Sequence, residues 1–126
     1  MQTRDQKYAT KAFEQVSDVF RNMSEVNRKK YGAMAHKLPV LIRTAGLAQA
    51  LAFVDSRSEE PQKRLLEHLA EAVGAGTKAD LLNRSRTALL AEYMRLTQEV
   101  VAALLWYKRF AQSVLGIEAG EEGVSP

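Results

Sequence analysis

Apolar residues return every third or fourth position along most of the chain, the period of an α-helix with one buried side. Thr3 and Gln6 have the spacing of a capping box, which satisfies free amides at a helix start. Ala9, Ala12, Phe13, Val16, Val19, Phe20 and Met23 then gather on one side, opposite Arg4, Lys7, Lys11, Asp18 and Arg21. Either Ser24 caps a second helix running to about Lys37, or the first helix continues through it, because no strong breaker separates them. Pro39 suits the first turn of a new helix and pushes Leu38 toward extended backbone, so the pattern predicts a turn near Leu38.

Val40, Leu41 and Ile42 lead to Gly46 and then to Leu47–Val54, an apolar segment with little polar face that belongs near the centre of the core. Asp55–Pro61 reads as a polar connection, with Ser58 as a cap and Pro61 in the first turn of the next helix. Leu65, Leu66, Leu69, Ala72 and Val73 form the buried side of that helix. Gly74-Ala75-Gly76 ends it, and Thr77 with Asp80 starts another. No proline or glycine interrupts the chain from Arg86 to Leu115, which predicts one helix of roughly 45 Å at about 1.5 Å rise per residue. Its main apolar stripe is Leu89, Tyr93, Thr97, Val100, Leu104, Tyr107, Ala111 and Leu115, and Gly116 is placed to end it. Trp106 and Phe110 fall outside that stripe, nearer Arg95 and Glu99, and need a second contact. Another helix of the same domain would supply it, or a neighbouring subunit for which they are anchors.

The expected fold is therefore all-α: a compact single-domain bundle of about five to seven helices over residues 1–116 with one long C-terminal helix, followed by a disordered acidic tail, 117–126. A length of 126 residues, 46% of them hydrophobic and 26% charged, is ordinary for one folded domain and too apolar for a disordered chain. With no cysteine, disulfides and thiolate metal sites are excluded and only packing holds the fold. No apolar run approaches the roughly 18 residues a membrane span requires, and the charged amino end lacks a signal-peptide core. The expectation is a cytoplasmic protein with no membrane partner.

Candidates for catalytic chemistry are few. His36 and His68 lack a second ligand at metal-binding spacing, and although Glu71 is one helical turn from His68, a carboxylate-bridged site needs a second such unit. Both histidines read as surface residues. Gly74–Lys78 lacks the spacing of a phosphate loop, no Gly-x-Ser-x-Gly elbow occurs, and Glu59-Glu60 and Glu121-Glu122 stand where solvent keeps carboxylates ordinary. The residues predict no catalytic site, metal or cofactor.

Charge is more informative. The net charge is +3, and Glu118, Glu121 and Glu122 in the tail mask a balance of +6 over residues 1–116. Between Arg21 and Arg43, six basic residues (Arg21, Arg28, Lys29, Lys30, Lys37 and Arg43) face only Glu25. On a helix Arg28, Lys29 and His36 project to one side while Tyr31, Met34 and Leu38 project roughly opposite. Such a surface suits a phosphate backbone through counterion release, or is simply a solvated face. Lys108-Arg109 adds a second basic site.

Three stretches together resemble the small-subunit family of the type III-B CRISPR RNA-silencing (Cmr) complex: the first helix with Arg4 and Ala9; Tyr31 through Leu38-Pro39 to GLAQALAF at Gly46–Phe53; and EYMRLTQEVVAALLWYKRFA at Glu92–Ala111. The resemblance covers most of residues 1–116. It implies a helical scaffold without nuclease activity, whose copies stack beside the backbone subunits that carry the guide RNA. Target cleavage then belongs to those backbone subunits. Partners implied are other subunits of the Cmr complex, copies of the chain itself, and guide and target RNA. By carry-over, Arg28, Lys29, Lys30, Lys37 and Arg43 become candidate phosphate contacts, with Lys108 and Arg109 behind them. Leu38, Pro39, Gly46, Leu47 and Phe53 take structural roles. Two other readings remain: a helix-turn-helix DNA-binding protein turning at Arg43–Leu47, though Leu47–Val54 offers only Gln49 to read bases, and a purely protein-binding helical adaptor anchored by Trp106 and Phe110.

Overall fold

The computed structural model describes residues 1–120, which form six α-helices and no strand. In chain order they are α1 (Arg4–Asn22), α2 (Glu25–Ala45), α3 (Leu47–Arg57), α4 (Glu60–Ala72), α5 (Lys78–Thr87) and α6 (Leu90–Ser113). Their starts are chemically marked. The Thr3 amide donates to Gln6 Oε1 at 2.8 Å and the Gln6 amide donates back to Thr3 Oγ1 at 3.0 Å, which closes the expected box. Ser24 Oγ accepts from the Asn27 amide at 3.2 Å, so a second helix does begin there. Thr77 and Asp80 make the same reciprocal pair for α5, and these bonds to the charged form hold the Asp80 carboxyl below its ordinary range.

α6 is the axis of the bundle, with α1 and α2 packed most extensively along it. α4 packs on α2 and α1, and α3 and α5 cover α4. The core they enclose includes Ala12, Val16, Tyr31, Leu38, Leu51, Leu65, Leu66, Leu69, Leu96, Val100, Leu104 and Tyr107, all buried.

Two boundaries differ from the sequence pattern. α2 runs unbroken through Leu38 and Pro39 to Ala45, with no turn at Leu38. A proline inside a helix forfeits one hydrogen bond and costs about 3 kcal/mol. Burial of Tyr31, Ala35, Leu38, Pro39 and Ile42 along one continuous side holds the helix against that cost. Conversely, the expected single helix from Arg86 to Leu115 is broken at Ala88 and Leu89, whose ψ angles of 142° and 165° are extended. No glycine or proline marks the break. Ser85 and Thr87 return their hydroxyls to the carbonyls of Leu82 and Asn83, which weakens the end of α5. α5 is drawn to α3 and α4 while α6 follows α1 and α2. The C-terminal helix is still the longest, 24 residues.

Several apolar positions lie further out than the periodicity implies. Leu89 is exposed at the break, and Phe13 and Phe20 at the edge of α1 and Phe53 on α3 stand half-exposed. Both histidines move the other way, and are buried rather than on the surface. Gly46 does turn the chain between α2 and α3, at φ 89°, and the Tyr93 hydroxyl accepts the Ala48 amide at 3.1 Å in place of a side-chain cap.

The segment after α6 is docked at Ile117, which is buried. Its amide donates to Ala111 O at 2.9 Å, and its carbonyl accepts from His36 Nε2 at 2.8 Å. The remainder of the expected tail, 121–126, lies outside the described residues. Gly32 makes this docking possible, because a Cβ there would stand 2.8 Å from Ile117 Cδ1. Gly32→Ala should therefore release Ile117 and speed exchange of its amide by at least about ten-fold, the equivalent of about 1.4 kcal/mol of local opening. Hydrogen exchange followed by NMR reads this directly, and unchanged protection would contradict it.

Candidate nucleic-acid interface

α2 can present a charged outer face only because its inner face is fixed. The Tyr31 hydroxyl and His68 Nδ1 share a hydrogen bond at 2.7 Å, linking α2 to α4. Burial pushes the Tyr31 phenol well above its ordinary pKa, so it keeps its proton. Tyr107 of α6 stacks on His68 with ring centroids 6.4 Å apart and donates to Gln15 Oε1 of α1. Gln15 in turn donates to Glu71 of α4. The Tyr107 hydroxyl also reaches the His68 carbonyl at 3.3 Å, so four helices meet in one polar network that is buried except at Glu71. Periodicity places Tyr31 and Tyr107 in the core but does not reveal the network. The available signal was Gln15, a polar residue beside Val16 on the apolar side of the first helix.

The seven basic candidates, five on α2 and two on α6, divide into distinct roles. Lys29, Lys37 and Arg43 are exposed and make no ion pair among the described residues. At about 100° per residue they fall within one sector of α2 about 120° wide, and at about 1.5 Å per residue they span roughly 21 Å of it. Arg28 is half-buried instead: it donates from Nη1 to Phe20 O at 2.9 Å and lies over the Phe20 ring at 4.9 Å, closing the corner between α1 and α2. Lys30 pairs with Glu59 at 2.8 Å and ties α2 to the start of α4. His36 does not join the basic face, being turned inward to Ile117. Lys108 and Arg109 lie on α6, Lys108 half-buried and Arg109 exposed.

Trp106 and Phe110 meet α1. The indole Nε1 donates to Asp5 at 3.0 Å, Phe110 stacks on the indole at 5.7 Å, and Phe13 meets Phe110 edge-on at 5.4 Å. The second contact these rings require is therefore at least partly supplied within the fold. Among the described residues no group of three histidine, aspartate or glutamate side chains could hold a metal ion, and no helix is long and apolar enough to cross a membrane.

The class of protein so defined is an all-α bundle with a fixed polar centre and a helix face whose Lys29, Lys37 and Arg43 make no ion pair among the described residues. The family model described as CRISPR-associated protein (Cas_Cmr5) matches residues 4–114, and the chain belongs to that family. It is 48% identical over 115 residues to the CRISPR system Cmr subunit Cmr5 of Thermus thermophilus, a match that covers 91% of this chain and 98% of that protein. It is likewise similar to the crystal structure of a CRISPR-associated Cmr5 family protein from the same organism, with a TM-score of 0.85, 48% identity, and coverage of 91% of this chain and 99% of that one. The family is the one that the three sequence stretches resemble.

The polar network is open to two measurements. Tyr107→Phe leaves Gln15 Oε1 buried without its phenol donor and should cost about 1–3 kcal/mol in urea unfolding; a loss within error of zero would contradict the network's role. Burial, reinforced by Arg64, lowers the His68 pKa from 6.5 to about 4. Between those values the unfolded chain binds more protons at this site than the folded one, so stability falls as pH drops through that window. Between about pH 7 and 4.5 the wild type should lose about 2 kcal/mol more than His68→Gln, at about 1.4 kcal/mol per unit. Equal losses would contradict it.

Proposed function

We propose that the chain is a non-catalytic structural small subunit of a type III-B CRISPR RNA-silencing (Cmr) complex, acting in antiviral defence in the cytoplasm. Several copies stack beside the other Cmr subunits, and the outer face of α2 helps hold target RNA along the guide. Family membership and the relative's name as a Cmr subunit support the assembly. The observation that carries the RNA role is the set Lys29, Lys37 and Arg43, exposed on one sector of α2 without ion-pair partners among the described residues. Such a surface binds phosphates without reading sequence, and binds more strongly when copies align their charges along one strand. Lys108 and Arg109 supply further positive charge from α6. Arg28 and Lys30 contribute chiefly by bracing α2.

The test is double charge reversal, Lys29→Glu with Lys37→Glu, in the assembled complex. Target-RNA retention should fall at least about ten-fold at moderate salt, and the slope of log affinity against log salt should shrink by about 2. Assembly itself should be unaffected, since neither side chain braces the fold. Unchanged retention by an intact assembly would overturn the RNA role.

A further inference from the structure

Between α1 and α6 lies a groove of about 350 Å³ lined by Asp5, Ala102, Leu105, Trp106 and Arg109. That volume falls in the ~300–1,000 Å³ range of small-ligand sites. Its main wall is an aromatic ring whose pose is set in advance. Phe110 stacks against the indole with an interplanar angle of 28°, and Asp5 holds the Nε1 edge at 3.0 Å. Trp106 lines this groove and is part-exposed. Asp5 and Arg109 have opposite charges and line the same groove, yet neither makes an ion pair among the described residues. One carboxylate oxygen of Asp5 receives the indole N–H, and the carboxylate keeps further acceptor capacity.

We infer that this groove takes one base of a single-stranded RNA: the base rests on Trp106, its phosphate meets Arg109, and an amino group on the base donates to Asp5. The inference rests on the RNA-holding role proposed above and gives it a second site, away from the α2 face. Aromatic platforms flanked by cations are the usual means of holding single strands, because every base has a π-face. A purely apolar protein segment fits less well. It would cover Asp5 and Arg109 while offering a partner to neither, and burying unmatched charge is costly. A nucleotide matches all three features: ring, donor edge and anion. The Asp5 acceptor also favours adenine over uracil, whose corresponding edge carries a carbonyl.

Trp106 is the chain's single tryptophan, so tryptophan emission, excited beyond the absorption band of the four tyrosines, reports this groove. The experiment titrates the full chain at low salt with short oligoadenylate and oligouridylate, recording tryptophan emission alongside the anisotropy of a fluorescein-labelled strand. Emission should be quenched in step with the rise in anisotropy. Arg109→Ala should weaken oligoadenylate binding about ten-fold, and Asp5→Asn, which keeps an acceptor for the indole, should remove the preference for adenine. A rise in anisotropy with unchanged emission would overturn the groove site and leave the RNA role of α2 standing. No rise for either strand would overturn both. Emission that responds to the other Cmr subunits but not to RNA would assign the groove to a protein partner and overturn the inference.

Discussion

The buried meeting of Tyr31, His68, Tyr107 and Gln15 is the constraint on which the arrangement of this bundle depends. Hydrophobic packing alone is non-directional, and helices with broad apolar sides can slide or rotate against one another at modest cost. Hydrogen bonds join Gln15 to Glu71 and Tyr107 and Tyr31 to His68, and the Tyr107 hydroxyl connects the two sets through the His68 carbonyl, so side chains from α1, α2, α4 and α6 are satisfied together in one register. Leaving a buried member without its partner costs more than the bond itself contributes, so the network selects one packing among many.

That selection has a consequence on the outside. With Tyr31 fixed inward, the opposite sector of α2 is committed to solvent, and Lys29, Lys37 and Arg43 are held there. Neighbouring basic residues serve the fold instead. Arg28 closes the first corner against Phe20, and Lys30 reaches Glu59 at the head of α4. One run of positive charge in the sequence therefore divides in two: residues that brace a helix and residues that stay exposed without an ion pair among the described residues. A third device, the docking of Ile117 on Gly32 and His36, secures the chain after α6 against the same helix.

Much of the fold was legible because it rests on local chemistry. The Thr3–Gln6, Ser24 and Thr77–Asp80 starts are visible as spacings, and the helices they begin are present. What was not legible depends on contacts between distant segments. Pro39 looks like a helix start until the continuous burial on either side of it is known, and nothing in Ala88-Leu89 announces a break imposed by the diverging partners of α5 and α6. His68 reads as a surface residue because its partners, Tyr31 and Tyr107, are 37 and 39 residues away. For the basic face, composition marked a segment, but only the three-dimensional arrangement separates Lys29 and Lys37 from the paired Lys30.

The most direct measurement is photo-cross-linking of target RNA within the assembled complex, followed by mass spectrometry of the cross-linked peptides. Cross-links on this chain are expected within α2, in peptides containing Lys29, Lys37 or Arg43. Cross-links confined to other subunits, with none on α2, would contradict the role given to that face.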